Sequence, residues 1–370
     1  MDFALTEEQR LFDGTLRGYV AERLPMERLR AIAEAGIGFD DALWRGLCEL
    51  GLPGLLVPER FGGSGLGILD AAVAAEALGA QAAPVPFTGL AMATVAVREA
   101  GTPAQRESWL RRIANAEARF GVAFAGLAGQ TGMSMATLAG DRLSGSITAA
   151  LDCGACSHLL VVLEDGTTVI VALDEPGVQL TPHHSLDRTR SITDVAFNRS
   201  RVEPLAGDSA PLACARRVLD AGRVLLAADA LGAAQTMLDR AVAFAKERVQ
   251  FGRVIGSFQG VKYMLADMVT MLEPCRALVW YAAHAHDALP PEARLYACHA
   301  KAHLGDVGRE VSRMATEVHG GMGFTDLLGL HFWFKRVAYN RQMLGTPERC
   351  REEAAMLQWS TRADAAPGDA

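Results

Sequence analysis

The chain has no hydrophobic run long enough to cross a membrane. Its longest apolar stretches, such as VLLAADALGAA, are short and carry an acid. It also lacks an excess of positive charge. Its 36 Lys and Arg are outnumbered by 43 Asp and Glu, giving a net −7, and they are dispersed. That excludes a surface that neutralises many phosphates at once, so no nucleic-acid partner is expected. The opening MDFALTEEQRLF has acids where an export signal needs positive charge. The sequence therefore predicts a cytoplasmic protein without membrane insertion. Cysteine is sparse, odd in number at 7 and scattered, which suggests reduced thiols. Cys153 and Cys156 form a CxxC, but no second pair, zinc-spaced His or thioredoxin-like βαβ pattern accompanies them, so no metal site is expected. What remains is a globular composition, 50% hydrophobic and 21% charged, in 370 residues, enough for two or three compact units.

Hydrophobic periodicity divides the chain into three segments and a tail. Residues 1–118 read as helices, with a capping pattern from Thr6 to Gln9 and helical runs in DDALWRGLCELG and ILDAAVAAEALGAQ. Between these runs lies GLPGLLVPERFGGSGLG, a loop dense in Pro and Gly. Its GGSGLG mimics a dinucleotide fingerprint but lacks the preceding strand and the distal acid. Residues 119–207 change character. FGVAFAG, HLLVVL, TTVIVAL and ITDVAF are short β-rich runs, and the Asp-Gly in LEDGTT predicts a hairpin. From 208 to 360 helical periodicity returns over 213–247, 257–284, 291–319 and 329–358, a predicted four-helix bundle. Residues 361–370 read as a disordered tail. The fold class is α+β multidomain, mainly α.

Two blocks carry possible chemistry. In KERVQFGRVIGSFQGVKYMLADM, Arg248 and Phe251 stand three apart at a predicted helix end, and Gln259 opens the next helix. A guanidinium beside an aromatic ring suits a phosphate and a flat heterocycle. The same residues also suit a charged helix end with Phe251 as an apolar plug. The second block, HGGMGFTD at 319–326, puts three glycines within five positions. It is either a helix stop or a close backbone approach to a phosphate or ring.

These blocks, with MDFALTEEQ, the Pro-Gly loop, EPGVQLTP, ITDVAFNRSRVEP and EVHGGMGFT in order, resemble the acyl-CoA dehydrogenase family almost end to end. The resemblance implies a tetramer-forming fold with an N-terminal helical domain, a middle β domain and a C-terminal four-helix bundle. It implies FAD in a cleft shared between subunits, an acyl-CoA substrate and an electron-transfer-flavoprotein-like acceptor. By the matching positions, Arg248, Phe251, Gln259, Glu317, Val318, His319, Gly320 and Gly321 would line the nucleotide part of an FAD whose ring belongs to a neighbouring subunit. Glu317 departs from the family's usual Gln; a carboxylate there would suit ribose hydroxyls better than a pyrophosphate.

The reaction that the family implies removes an α proton from an acyl thioester while a hydride leaves the β carbon. A carboxylate base must take that weakly acidic proton. The family's Tyr-Glu-Gly-Thr corresponds here to RQMLGT, which leaves Leu344 at the base position. A second family position for the base falls on Gly222. Asp229, seven residues further and two helical turns along, is the remaining candidate base, and an acid satisfied by helix or subunit contacts is the other reading. Arg223 matches a contact to the CoA part, or is a surface Arg near a helix start. In the β domain, Ala149 to Asp152 and FAGLAGQTGMS replace the family's ring contacts. HGGMGFTDLLGLHFWFKR resembles the branch of paired dehydrogenase subunits, acting on steroid side chains or dicarboxylic acyl groups, in which one subunit type lacks a full site. Three functions stay open: an FAD-dependent acyl-CoA dehydrogenase or subunit of one, a non-catalytic partner that completes another chain's FAD site, and a flavin oxidase or hydroxylase on the same fold.

Overall fold

A computed structural model describes residues 4–128 and 135–365. Helix α1 (Glu7–Arg23) starts at a reciprocal cap: Thr6 Oγ1 accepts from the Gln9 amide, and the Gln9 side chain accepts from the Thr6 amide. After α2 (Met26–Ala35), Asp40 caps α3 (Asp41–Glu49) and pairs with Arg28 of α2 at 2.5 Å. Helices α4 (Ile68–Ala80), α5 (Phe87–Ala100) and α6 (Pro103–Ala114) complete the N-terminal layer. Alanines and other small side chains around α4 let it sink into the centre, buried along nearly its whole length.

The middle domain is one eight-stranded sheet. It contains β1 (Phe120–Phe124), β2 (Met135–Ala139), β3 (Arg142–Leu151), β4 (His158–Val162), β5 (Thr168–Ala172), β6 (Val178–Pro182), β7 (Ile192–Arg201) and β8 (Glu203–Pro204). Its order is β6-β7-β3-β1-β4-β5-β8, with β2 also on β3, and among the described residues only β1–β4 pair in parallel. The predicted Asp165–Gly166 turn joins β4 to β5, with Gly166 at φ +88°. Side chains alternate between two cores. Phe120, Val122 and Phe124 face the helices, while Leu159, Val161 and Val195 form the sheet's own core.

The C-terminal bundle is built from α7 (Pro211–Glu247), α8 (Gln259–Ala288), α9 (Pro290–His319), α10 (Leu330–Gln342) and α11 (Pro347–Ala365). The run predicted as a single helix over 329–358 is two helices. Leu344 and Gly345 take φ of +59° and +105°, and Pro347 then starts α11, because its ring and missing N–H suit a first helical turn. Of the tail read as disordered, 361–365 continue α11, and 366–370 lie outside the described residues.

Helix α7 is the axis of the molecule, packing on α4, α5, α8, α9 and α10. It meets α4 through two glycines: a Cβ at Gly232 would sit 2.0 Å from the Glu76 carbonyl oxygen, and one at Gly79 would sit 2.1 Å from that of Asp229. Gly232→Ala is expected to cost about 1–3 kcal/mol through overpacking, read as a lower urea midpoint. An unchanged midpoint would show that the crossing yields freely.

Candidate functional site

At one end of the bundle three helix termini meet. Helix α7 ends at Glu247, and Arg248 already has extended dihedrals, φ −69° and ψ 120°. The chain then makes a miniature hairpin of β9 (Val249–Gln250) and β10 (Arg253–Val254). Its turn residues Phe251 and Gly252 both have positive φ, +53° and +77°, the geometry that suits strand twist. Arg248 and Phe251 therefore do not share a helix face, as their spacing suggested. Phe251 stands on a hairpin tip, 94% exposed, with its ring edge toward Phe258 at 6.1 Å. It is no apolar plug. Among the described residues, the exposed Arg248 guanidinium has no hydrogen-bond or ion-pair partner. Gln259, the exposed first residue of α8, bonds Tyr263.

Opposite lies the end of α9. The His319 ring stacks on Phe244 of α7 with centroids 4.5 Å apart, which ties the two termini together. Its Nδ1–H donates to the Ala315 carbonyl at 2.7 Å, and burial lowers its pKa, so the imidazole is neutral. His319 and Val318 thus form the underlay, while Glu317, Gly320 and Gly321 face out. Gly320, at φ +59° and ψ −143°, has a backbone that only glycine adopts readily. Cβ positions on both Gly320 and Gly321 meet nothing within 4 Å. Arg313 reaches Glu317 at 2.9 Å, so the acid that departs from the family pattern carries its own counter-charge.

The two base positions lie against each other. A Cβ on Gly222 would fall 2.5 Å from Leu344 Cδ1 and 2.6 Å from both Met92 Cε and Sδ. Leu344 is 1% exposed and Met92 0%. Where a carboxylate would project, the space is filled by a leucine and a methionine. The backbone beneath is held from below: Arg223 Nε donates to the Leu344 carbonyl at 3.0 Å, and Lys301 Nζ to the Gly345 carbonyl at 2.9 Å.

The structure corrects the reading of Asp229 as a base. Its carboxylate receives Asn340 Nδ2 at 2.6 Å and Arg336 Nη1 at 3.1 Å, with Arg190 at 3.9 Å. It is 3% exposed, and the gap beside it is too small for a water. Arg223 is corrected as well. It is neither a CoA contact nor a surface residue: it is fully buried, donates to Cys298 Sγ at 3.1 Å and pairs with Glu353 at 2.8 Å.

On the β-domain side, Ala149 takes φ +57°, and its amide donates to Asp194 at 2.9 Å. Asp152 is buried, accepting from the Gly89 amide at 3.0 Å and pairing with Arg190 at 3.1 Å. In FAGLAGQTGMS, residues 129–134 lie outside the described residues. Between this domain and the bundle opens a cavity of about 480 Å³, bounded by Ile192, Leu186, Ser312, Tyr339 and Met343. Its mostly apolar lining and size suit a fused-ring heterocycle. Met92, Lys301 and Arg336 were not anticipated from the sequence. Only Lys301 left a trace, a lone cation on the apolar face of ACHAKAHLG.

The chain matches known proteins over both helical parts. Residues 6–117 match the description "Acyl-CoA dehydrogenase, N-terminal domain", and residues 212–357 match "Acyl-CoA dehydrogenase, C-terminal domain". It is 29% identical to acyl-CoA dehydrogenase IpdE2 of Mycolicibacterium smegmatis, covering 96% of this chain and 99% of the relative. A variant of the Tcur3481-Tcur3483 steroid ACAD superposes with a TM-score of 0.87 at 29% identity, covering 96% and 99% of the two chains. The ChsE4-ChsE5 complex from Mycobacterium tuberculosis gives 0.86 at 26% identity, covering 100% of each chain. With helical domains on either side of the sheet, both matched by the family's own domains, the chain belongs to the acyl-CoA dehydrogenase family of flavoprotein oxidoreductases.

Proposed function

We propose that this chain serves acyl-CoA dehydrogenation as one subunit of a mixed, FAD-containing tetramer, in which its bundle end completes the FAD site of a partner chain. The observation that carries this reading is the packing of Leu344 on Gly222 and Met92. With both base positions apolar and Asp229 ion-paired, none of the three candidate positions offers a carboxylate free to take an α proton. Missing a general base costs about 10²–10⁴ in rate.

The bundle end fits a nucleotide. Arg248 would donate to pyrophosphate oxygens through its unpartnered fork. Phe251 would lie against a flat ring, Gln259 would hydrogen-bond, and the open Gly320–Gly321 backbone would let phosphate or ribose approach closely. FAD held there would supply the acceptor for the hydride of the acyl β carbon, and the partner would supply the base. The substrate that goes with this reading is an acyl-CoA with a bulky acyl group, consistent with the steroid ACAD relative. An electron-transfer-flavoprotein-like protein is the acceptor that goes with it. The 480 Å³ cavity favours a second reading, in which the chain also holds a flavin ring of its own.

The experiment is to purify the chain alone, then co-expressed with a family member that keeps Tyr-Glu-Gly-Thr, and measure FAD per chain and acyl-CoA turnover with an artificial acceptor. The first reading expects a colourless, inactive chain alone and one FAD per two chains in the complex. A yellow but inactive chain, with one FAD per chain in the complex, supports the second. Turnover by the chain alone at the complex's rate would overturn both.

A further inference from the structure

Beneath the Met343–Thr346 segment lies a thiol pair that the proposed function does not use. On α9, Cys298 and Ala302 stand one turn apart; on α11, Cys350 and Ala354 do the same. The four form one buried cluster, exposed by 0, 3, 0 and 2%. Small side chains on both faces let the helices approach closely, and the two thiols lie together in that cluster. Arg223 donates to Cys298 Sγ at 3.1 Å, and Cys350 Sγ lies 3.8 Å from the Gly345 carbonyl, which Lys301 also holds. Both sulfurs thus contact the groups that fix the backbone at Leu344 and Gly345.

We infer that Cys298 and Cys350 form a reversible redox latch, closing to a disulfide that fixes α11 and the Met343–Thr346 segment against α9. The neighbouring Cys298 thiol draws the Cys350 thiol down, helped by the Arg223 and Lys301 cations. Burial pushes Cys153 and Cys275 up to about 12 and Cys48 up to about 11, leaving them unreactive by comparison. Cys350 is therefore the attacking thiolate. Its oxidant is a small-molecule disulfide such as glutathione disulfide. Cys350 attacks one sulfur of that disulfide and expels one glutathione thiolate. Cys298, losing its proton, then displaces the second glutathione, leaving Cys298–Cys350 linked and two thiols formed. Both steps need α11 to open, and α11 packs chiefly on α9, at the edge of the bundle.

The test treats the folded full chain with glutathione disulfide, alkylates it in denaturant and maps the peptides. Two of the 7 thiols are expected to disappear into one Cys298–Cys350 linked peptide. Amide exchange at Met343–Thr346 should slow, and a reductant should reverse both changes. Cys350→Ser and, independently, Cys298→Ser should abolish the linkage, while Cys153→Ser should not. The latch is overturned if all thiols remain alkylatable, if Cys350 stays mixed with glutathione, or if the link joins Cys153 to Cys156.

Discussion

Arg336→Met is expected to lower the free energy of unfolding by about 3–5 kcal/mol. Arg336 is fully buried on α10 and satisfied on every side. Its Nε donates to Asp187 at 2.9 Å, Nη1 to Asp229 at 3.1 Å, and Nη2 to Thr189 Oγ1 at 2.6 Å and the Ala82 and Ala83 carbonyls at 3.0 and 3.1 Å. Methionine fills much of the volume but leaves two buried carboxylates without their main cation, and that uncompensated charge dominates the cost. Urea or guanidinium unfolding reads the effect. Replacing Asp187 and Asp229 by Leu in the same variant should restore most of the stability, because an apolar cluster can substitute for a complete ion network. A loss below about 1 kcal/mol in Arg336→Met would mean that water reaches the site.

Arg248→Ala, in the co-expressed complex, is expected to weaken FAD binding about 10- to 150-fold. That is the equivalent of about 1.5–3 kcal/mol for hydrogen bonds to a charged group. The side chain makes no internal bond, so its removal should leave the chain's melting temperature unchanged. Titrating the apo-complex with FAD and following flavin fluorescence separates the two effects. Glu317→Gln should shift the same constant less than about threefold, since Arg313 already offsets the charge and exposed pairs contribute little. An Arg248→Ala complex with wild-type affinity would move the nucleotide away from this end of the bundle.

The capping at Thr6 and the Asp165–Gly166 hairpin are local codes, and both were legible because the residues that decide them lie within a few positions of one another. The apolar identity of Leu344 and Gly222 was legible too, through resemblance, but not their contact with each other and with Met92. Asp229 shows the limit most clearly. Helical spacing places it two turns from Gly222, yet what that face meets depends on Arg336, 107 residues later in the chain. Arg223 fails for the same reason: a charged residue in a helix reads as exposed until Glu353 and Cys298 are folded onto it. The break after α10 was missed because a left-handed leucine has no sequence signature, although Pro347 stood in plain view.

The reach of Arg336 has a mechanical consequence. One side chain joins the β-domain loop at Asp187–Thr189, the turn after α4 at Ala82–Ala83, and the centre of α7 at Asp229. A hinge between the three domains would have to tear all of these contacts at once. The three domains are therefore expected to yield to denaturant as one body, and any partner must dock to domains whose relative placement is already set.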